Sequence, residues 1–458
     1  MRSLQGETAR LNEARALVKA RFPRFGVNKE REITRLLCEI SRRDGVPPAG
    51  ALRRIDTRRF APVKEHLLRL RYPHASPAER ARAVLPEIDF GLSPASGSPG
   101  TARFSPRRIV VEQSVRDSAL ARRFRRAFPG ADLVEIGSLK EHLARRADAR
   151  PPACSARRDT IFIVRERHDF FKNCPCTRGA VPCGYHILNM GFGCVFDCAY
   201  CFLHGYANVP GIILPANHED FFDRFGRFAA SPAARRWRRQ GRIRIGTGEF
   251  SDSLALDRLT EYSLPLVEFF SGRPDTLFEL KTKSAAIGNL LKAQHAGNIV
   301  VGWSLNPQAI IDAHEPLTAP LAGRLRAASS AADAGYPVAF HFDPVILFEG
   351  WESAYGGVVD ALFEAVKPER IAWISVGTLR FATGTARAVE RRFPGSALLD
   401  GELLPGFDGK LRYPRAARLR ICRGMARMLR ARAKSVPLYL CMEEAAMWRD
   451  LSLPFPFA

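Results

Sequence analysis

The sequence predicts an α/β protein in three parts: a basic, mainly helical extension over residues 1–100, a small α/β subdomain over 105–165, and a larger α/β unit over 166–458. Three observations carry this reading. From about residue 107 onward, short apolar runs of strand length alternate with helix-sized intervals, the pattern of βαβ units and a parallel sheet. A Gly-, Pro- and Ser-rich stretch at 91–101 separates that texture from an Arg-rich helical start. The composition is globular: 458 residues, 46% hydrophobic and 26% charged, long enough for two or three domains with buried cores.

In the extension, Leu36, Leu37 and Ile40 supply one apolar helical stripe, and Leu67, Leu68 and Leu70 another. Strands are predicted at 109–111, 132–136 and 160–164, with a basic amphipathic helix at 118–128 between the first two. In the larger unit the strand candidates are 242–247, 277–281, 299–305, 338–342, 371–376 and 438–441. Their spacing in ~250 residues fits a barrel or an open doubly wound sheet. No apolar run approaches the ~18 residues of a membrane span. The first twenty residues carry Glu7, Glu13 and several arginines rather than the apolar block of a secretory leader. The expectation is a soluble, cytoplasmic protein.

Lys plus Arg number 70 against 47 Asp plus Glu, a formal net charge of +23. Residues 1–150 hold 32 basic and 17 acidic side chains, so a net +15 sits in the first third. Such a segment favours polyanions, nucleic acid above all, because each phosphate contact releases condensed counterions.

Ten cysteines are present: Cys38, Cys154, Cys174, Cys176, Cys183, Cys194, Cys198, Cys201, Cys422 and Cys441, six of them between 174 and 201. Disulfide scaffolds are short and evenly dotted with cysteine, so a dense cluster in a long chain points to metal. Cys194, Cys198 and Cys201 stand three and then two residues apart in one loop, a soft-ligand site suited to zinc or an Fe–S cluster. A structural zinc site takes four ligands, commonly as two pairs, and no second pair follows. Three thiolates would leave one iron of a [4Fe–4S] cluster open, and Gly191 and Gly193 suit a loop that wraps a cofactor closely.

At these residues the chain resembles the radical S-adenosylmethionine enzymes, in which a CxxxCxxC loop follows the first barrel strand with an aromatic residue, here Tyr200, before the last cysteine. The resemblance narrows to the spore photoproduct lyase family. It rests on the small α/β unit, on the lead-in from Phe171 through Cys174, Cys176 and Cys183 to Tyr185, and on the tail from Leu438 through Cys441 and Glu443 to Trp448. It covers roughly 105–450 and not the extension. It implies a partial (β/α) barrel, a [4Fe–4S] cluster and S-adenosylmethionine. The implied chemistry is a 5′-deoxyadenosyl radical that takes hydrogen from a thymine dimer in DNA, so that the dimer reverts to two thymines.

Further motifs acquire roles in that register. Glu249, after the glycine turn at 246–248, would accept from the cofactor's ammonium, and Lys281 or Lys283, with Lys283 preferred, would hold its carboxylate. Ser304 and Asn306, two apart on one strand face, would bond the ribose hydroxyls. Asp343 would reach the adenosine or substrate, or act as a cap. One departure stands out. The family carries a hydrogen-donating cysteine just before a serine after the second strand, and this chain has Phe250 before Ser251; Phe202 likewise replaces a tyrosine after the last cluster cysteine. The donor then lies elsewhere, among Cys174, Cys176, Cys183 and Cys441, or the reaction differs. The candidate catalytic residues are Tyr200, Ser251, Cys183 and Cys441.

Cys174, Cys176 and Cys183, with His168 or His186, would suffice for a second metal, although buried inert thiols are commoner. Two regions are suited to a nucleic-acid backbone. Arginines at 235–244 interleave with Trp237. A helix at 416–432 sets Ile421, Met425, Met428 and Leu429 on one side and Arg418, Arg420, Arg423, Arg427 and Arg430 largely outside. The expected partners are DNA and a reductase or flavodoxin-type electron donor, with no membrane. RNA, a peptide or a small molecule is the alternative substrate. A non-catalytic nucleic-acid-binding metalloprotein is the alternative class.

Overall fold

A computed structural model describes all residues except 1–2, 54, 91–103, 146–157, 168–170, 207–210, 233, 235–241 and 455–458. The linker stretch, Cys154, His168, Trp237 and the arginines at 235–239 therefore lie outside the described residues.

Four parallel strands form the small sheet: β1 (Arg108–Glu112), β2 (Asp132–Ile136), β3 (Thr160–Val164) and, from beyond the cysteine cluster, the strand Ile212–Pro215. Their order places β1 between β2 and β3, with Ile212–Pro215 outside β3. Side chains alternate across β1. Ile109 and Val111 share a core with Leu120 and Phe124 of the helix Ala119–Ala127, while Val110 packs on the other face with Phe162 and Val164. Both faces are buried, which is why the strand reads as a continuous apolar run rather than an alternating one. The small sheet is thus not closed within 105–165, because its fourth strand comes from the larger unit.

The larger sheet has eight strands. In chain order these are β4 (Phe171–Asn173), β5 (Tyr185–Leu188), then, with Ile212–Pro215 counted as β6, β7 (Ile243–Gly246), β8 (Thr276–Thr282), β9 (Ile299–Ser304), β10 (Val338–Val345), β11 (Ile371–Thr378) and, after three two-residue strands β12 (Arg380–Phe381), β13 (Leu404–Pro405) and β14 (Leu411–Arg412), β15 (Leu438–Leu440). The sheet order is β15-β11-β10-β9-β8-β7-β5-β4, parallel throughout except for the antiparallel β4–β5 pair. Its two edges approach each other: Ala180 bridges Glu444, and the Val181 amide donates to the Glu443 carbonyl at 2.9 Å. The result is a curled partial barrel. Phe278, Leu280, Val301, Trp303, Phe340 and Phe342 point outward into the helix-covered core. Glu279, Lys281, Gly302, His341 and Asp343, offset by one residue, line the inside.

The extension forms helices Leu4–Arg21, Val27–Asp44 and Phe60–Arg71 around its own core of Val18, Phe22, Ile33, Leu36, Leu37, Ile40, Val63 and Leu67, which Leu404 of β13 completes. Leu70 departs from the predicted stripe and is exposed. In the helix Arg415–Arg432, Ile421, Met425 and Leu429 are buried, but Arg418 is buried too and pairs with Glu443. Arg418 therefore does not belong to a basic outer face. Arg420 and Arg432 of the same helix pair with Glu352 and Asp360.

Candidate active site

The loop that follows β5 carries the three clustered cysteines. Its entry is pinned by a two-way backbone bridge between Phe192 and Ile213 of β6, at 3.0 and 2.8 Å, and by the Gly193 amide donating to the Phe250 carbonyl at 2.9 Å. Gly193 sits at φ +96 with Ile212 Cα 3.3 Å from where a Cβ would be, so both its conformation and its neighbours require glycine. Further on, the Ala199 amide donates to His314 and the Cys201 amide closes a turn onto Cys198.

The three thiols lie on one short loop, near enough for their charges to interact. Burial pushes Cys194 up to about 12 and also raises Cys198 and Cys201, and neighbouring thiols add to the rise at Cys194 and Cys198. The Lys283 ammonium works in the other direction on Cys198 and Cys201. These are neutral thiols held ready for an electrophile that replaces their protons, as a metal does. Among the described residues no three side chains converge on a single ion. In an iron–sulfur cubane each thiolate takes a different iron, so three thiols on one short loop, beside a cation that balances their charge, suit such a cluster.

Lys283 stands over the Tyr200 ring, 5.1 Å from its centroid. Below it is a buried polar network that the sequence reading did not foresee. Tyr200 donates to Glu315 Oε1, Asn306 Nδ2 donates to the same oxygen at 2.8 Å, and Arg324 donates to Glu315 Oε2 at 2.5 Å. Tyr355 donates to Asn306 Oδ1 at 2.7 Å. Burial alone would raise the Glu315 carboxyl, but Lys283 and Arg324 outweigh it and hold it at about 2. Asn306 has both ends of its amide engaged inside the protein, with Glu315 and Tyr355. Ser304 gives its carbonyl to Arg324 at 2.8 Å.

Inside the barrel, His341 bridges Glu279 and Ser375, at 2.6 Å on each side. Burial and Lys281 depress His341, and a neutral ring satisfies both contacts by donating from Nε2 to Glu279 and accepting at Nδ1 from Ser375. Gly302 makes room for this pair, since a Cβ there would lie 2.4 Å from Glu279 Oε1. Arg380 grips Asp343 with two bonds of 2.7 and 3.1 Å, so Asp343 is an ion-pair partner and not a cap. Cys441 joins them: its thiol donates to Asp343, and Arg380 approaches its sulfur at 3.8 Å.

Glu249 pairs with Lys172 of β4 at 2.9 Å, and Lys172 also stands over the Phe250 ring. Ser251 and Cys194 line one small cavity with Thr247 and Asp252. Asp252 ties the post-β7 loop to β8, accepting from Thr282 Oγ1 at 2.6 Å and the Lys283 amide at 2.7 Å. An acid immediately after Ser251 was the signal that could have found it; no motif marks Glu315 or Arg380. The thiols of Cys174, Cys176 and Cys183 hydrogen-bond in series through Cys176. Arg244 is corrected as a backbone contact. It is buried, donates to the Cys183 carbonyl and the Tyr439 hydroxyl at 3.4 Å each, and stacks on Trp373.

A sequence model of the spore photoproduct lyase family matches residues 154–403. The spore photoproduct lyase of Bacillus subtilis strain 168 is 28% identical over 253 residues, 54% of this chain and 70% of that protein. That of Clostridium acetobutylicum is 23% identical over 296 residues, 64% and 84% respectively. A solved variant lyase with bound AdoMet and dinucleoside spore photoproduct superposes with a TM-score of 0.62 at 22% identity, covering 74% of this chain and all of the other. A lyase complexed with the dinucleoside photoproduct gives 0.61. With the partial barrel, the three-cysteine loop and the matched segment in agreement, this chain belongs to the spore photoproduct lyase family.

Proposed function

We propose that this chain is a radical S-adenosylmethionine lyase that reverts thymine photoproducts in DNA. The observation that carries the reading is the gathering of Cys194, Cys198 and Cys201 in one partly buried loop beside Lys283, within the family-matched segment. When bound, a reduced [4Fe–4S] cluster with S-adenosylmethionine supplies a 5′-deoxyadenosyl radical strong enough to take hydrogen from carbon.

The residues divide the remaining work. Cys194, Cys198 and Cys201 hold the cluster, and Lys283 and Lys281 offer cations for the cofactor carboxylate. Glu249 is the acceptor for its ammonium, in exchange for its bond to Lys172. Tyr200 acts by fixing the loop onto Glu315 rather than by chemistry. With Phe250 and Phe202 bearing no labile hydrogen, Cys441 is the donor thiol best supported by position: it lies among Asp343, Arg380 and Lys281 inside the barrel, whereas Cys183 is engaged with Cys176. Asp343 keeps the Cys441 proton in place. Burial raises this thiol well above its ordinary range, so it is the neutral, hydrogen-bearing form. DNA is the partner, a reductase or flavodoxin-type protein the electron source, and the cytoplasm the expected compartment; no helix among the described residues is long and apolar enough to cross a membrane.

The test is anaerobic: load iron and sulfide, reduce with dithionite, add S-adenosylmethionine, and quantify 5′-deoxyadenosine with and without ultraviolet-irradiated DNA. Cleavage stimulated by irradiated DNA with loss of dimer supports the reading. Cleavage indifferent to DNA moves the substrate to RNA, a peptide or a small molecule, the alternative that Phe250 favours. No cleavage by a fully loaded cluster overturns the enzyme assignment.

A further inference from the structure

The helical extension lies outside the family-matched segment, yet it reaches the cysteine loop through one helix. Thr383–Arg392 is seated directly on the short helix Leu203–Tyr206 that follows Cys201: a Cβ on Gly205 would come within 2.4 Å of Thr385 Oγ1 and 3.1 Å of its Cα. At the end of the seated helix, Arg392 pairs with Asp197, which stands between Cys194 and Cys198, and its Nη1 donates to His204 Nδ1 at 3.0 Å. Because an arginine can only donate, His204 Nδ1 is the acceptor and Nε2 carries the hydrogen, which it gives to the Cys198 carbonyl at 2.9 Å. One guanidinium thus grips the loop at two points, one on the stretch between the cysteines and one just beyond them.

Two residues earlier on the same helix, Glu390 faces the other way. It is buried and pairs with Arg35 of the extension at 2.9 Å. Arg35 also holds Glu39 at 2.7 Å, Glu39 holds Arg71 at 2.7 Å, and Arg71 donates to the carbonyls of Leu399 and Gly401 at 3.0 and 2.9 Å. Arg42 and Asp400 pair at 2.5 Å beside them. The extension therefore clamps Thr383–Arg392 and the segment after it through buried ion pairs. Removing one partner of such a pair strands a charge without solvent.

We infer that the extension is an intramolecular brace for the cysteine loop, with Arg392 and Glu390 as its positioning residues: Glu390 anchors the helix to Arg35, and Arg392 transmits that anchorage to Asp197 and His204. This rests on the cluster reading above, but its first readout does not. In the full-length protein without iron, hydrogen exchange of amides 195–205 is expected to rise about tenfold or more in Arg392→Ala, and several-fold in Glu390→Gln. Arg15→Ala, which breaks only an exposed pair with Glu87, is the control and leaves the loop rates unchanged. In the iron-loaded protein, Arg392→Ala loses iron to a chelator at least several-fold faster and shifts the cluster potential to more negative values, since it leaves Asp197 unbalanced beside the thiolates. Arg392→Lys restores the potential more fully than the exchange rate, because it keeps the charge without the two-point grip.

Glu390→Gln lies outside the extension, so the test survives if Arg35→Ala unfolds the helices. Unchanged loop exchange in both Glu390→Gln and Arg392→Ala would overturn the brace. Failure of the wild type to hold iron would overturn the cluster reading while leaving the exchange result to decide the brace.

Discussion

Each functional residue sits among buried charges whose states are mutually fixed. Glu315 receives Tyr200, Asn306 and Arg324 and is held at about 2, against 4.5 for an ordinary glutamate. A carboxyl whose folded pKa is depressed contributes stability that is complete above its unfolded pKa and is lost as pH falls through the folded one. Glu279, held at about 2 against the cost of burial by the His341 hydrogen bond together with Arg244 and Lys281, and Glu39, held at about 2 by Arg35 and Arg71, behave alike. The contribution of these carboxylates to unfolding free energy is therefore expected to be complete above pH ~5 and to be lost between about pH 4.5 and 2, by on the order of 3 kcal/mol for Glu315 alone. Glu315→Gln should flatten that limb in denaturant titrations across this range, and an unaltered slope would contradict the assignment. Tyr200→Phe removes one donor from the same oxygen and should cost about 1–3 kcal/mol by the same measurement, with iron binding retained. Cys198→Ala should abolish the brown chromophore; full iron and sulfide in that variant would remove Cys198 from the ligand set.

At the scale of elements, what was legible in the sequence follows a physical rule. Strands buried on both faces, such as β1, β3 and β9, announce themselves as β-branched runs, and their predicted limits lie within one residue of the observed ones. β4 and β6 were missed and β5 was expected only as the strand before the cysteine loop, because these short strands are defined by partners elsewhere in the chain, as in the Phe171–Leu188 and Ile161–Ile212 pairings. The cysteine spacing was local and visible. The Glu315 network, in which Tyr200 and Glu315 are 115 residues apart, was not, since no local pattern marks an acid whose partners are gathered only by the fold. Basic patterning misled for the same reason. Arg244 and Arg418 look like surface charges in sequence, but the curl of the sheet places one on Trp373 and the other on Glu443. The β6 bridge to Phe192 gives this scale its prediction. Gly193→Ala, forced to φ +96 against Ile212, should impair iron loading while leaving far-ultraviolet circular dichroism intact, because strain there displaces the loop and not the sheet.

Over the whole molecule, the net +15 of residues 1–150 overstates what DNA can feel. Partly buried Arg35 and buried Arg42 spend their charge on Glu390 and Asp400, acids outside that segment, holding the extension against the barrel. The exposed arginines, several of them in surface pairs such as Arg15–Glu87 and Arg69–Glu65, are the ones placed to meet phosphate, and affinity from such contacts falls with salt at a slope of about −0.9 per phosphate neutralised on duplex DNA. Removal of residues 1–90 is therefore expected to do two separable things. It weakens DNA binding and flattens the log K against log [salt] plot, and it exposes Leu404 and strands Glu390 and Asp400, lowering the melting temperature of what remains. Arg35→Ala in the full chain separates these effects, because it loosens the docking while removing no exposed charge. It should lower the melting temperature and leave the salt slope unchanged. A salt slope that flattens in Arg35→Ala as much as in the truncation would mean that the extension presents DNA-binding charge only when docked, and would tie DNA recognition to the same ion pairs that hold the two units together.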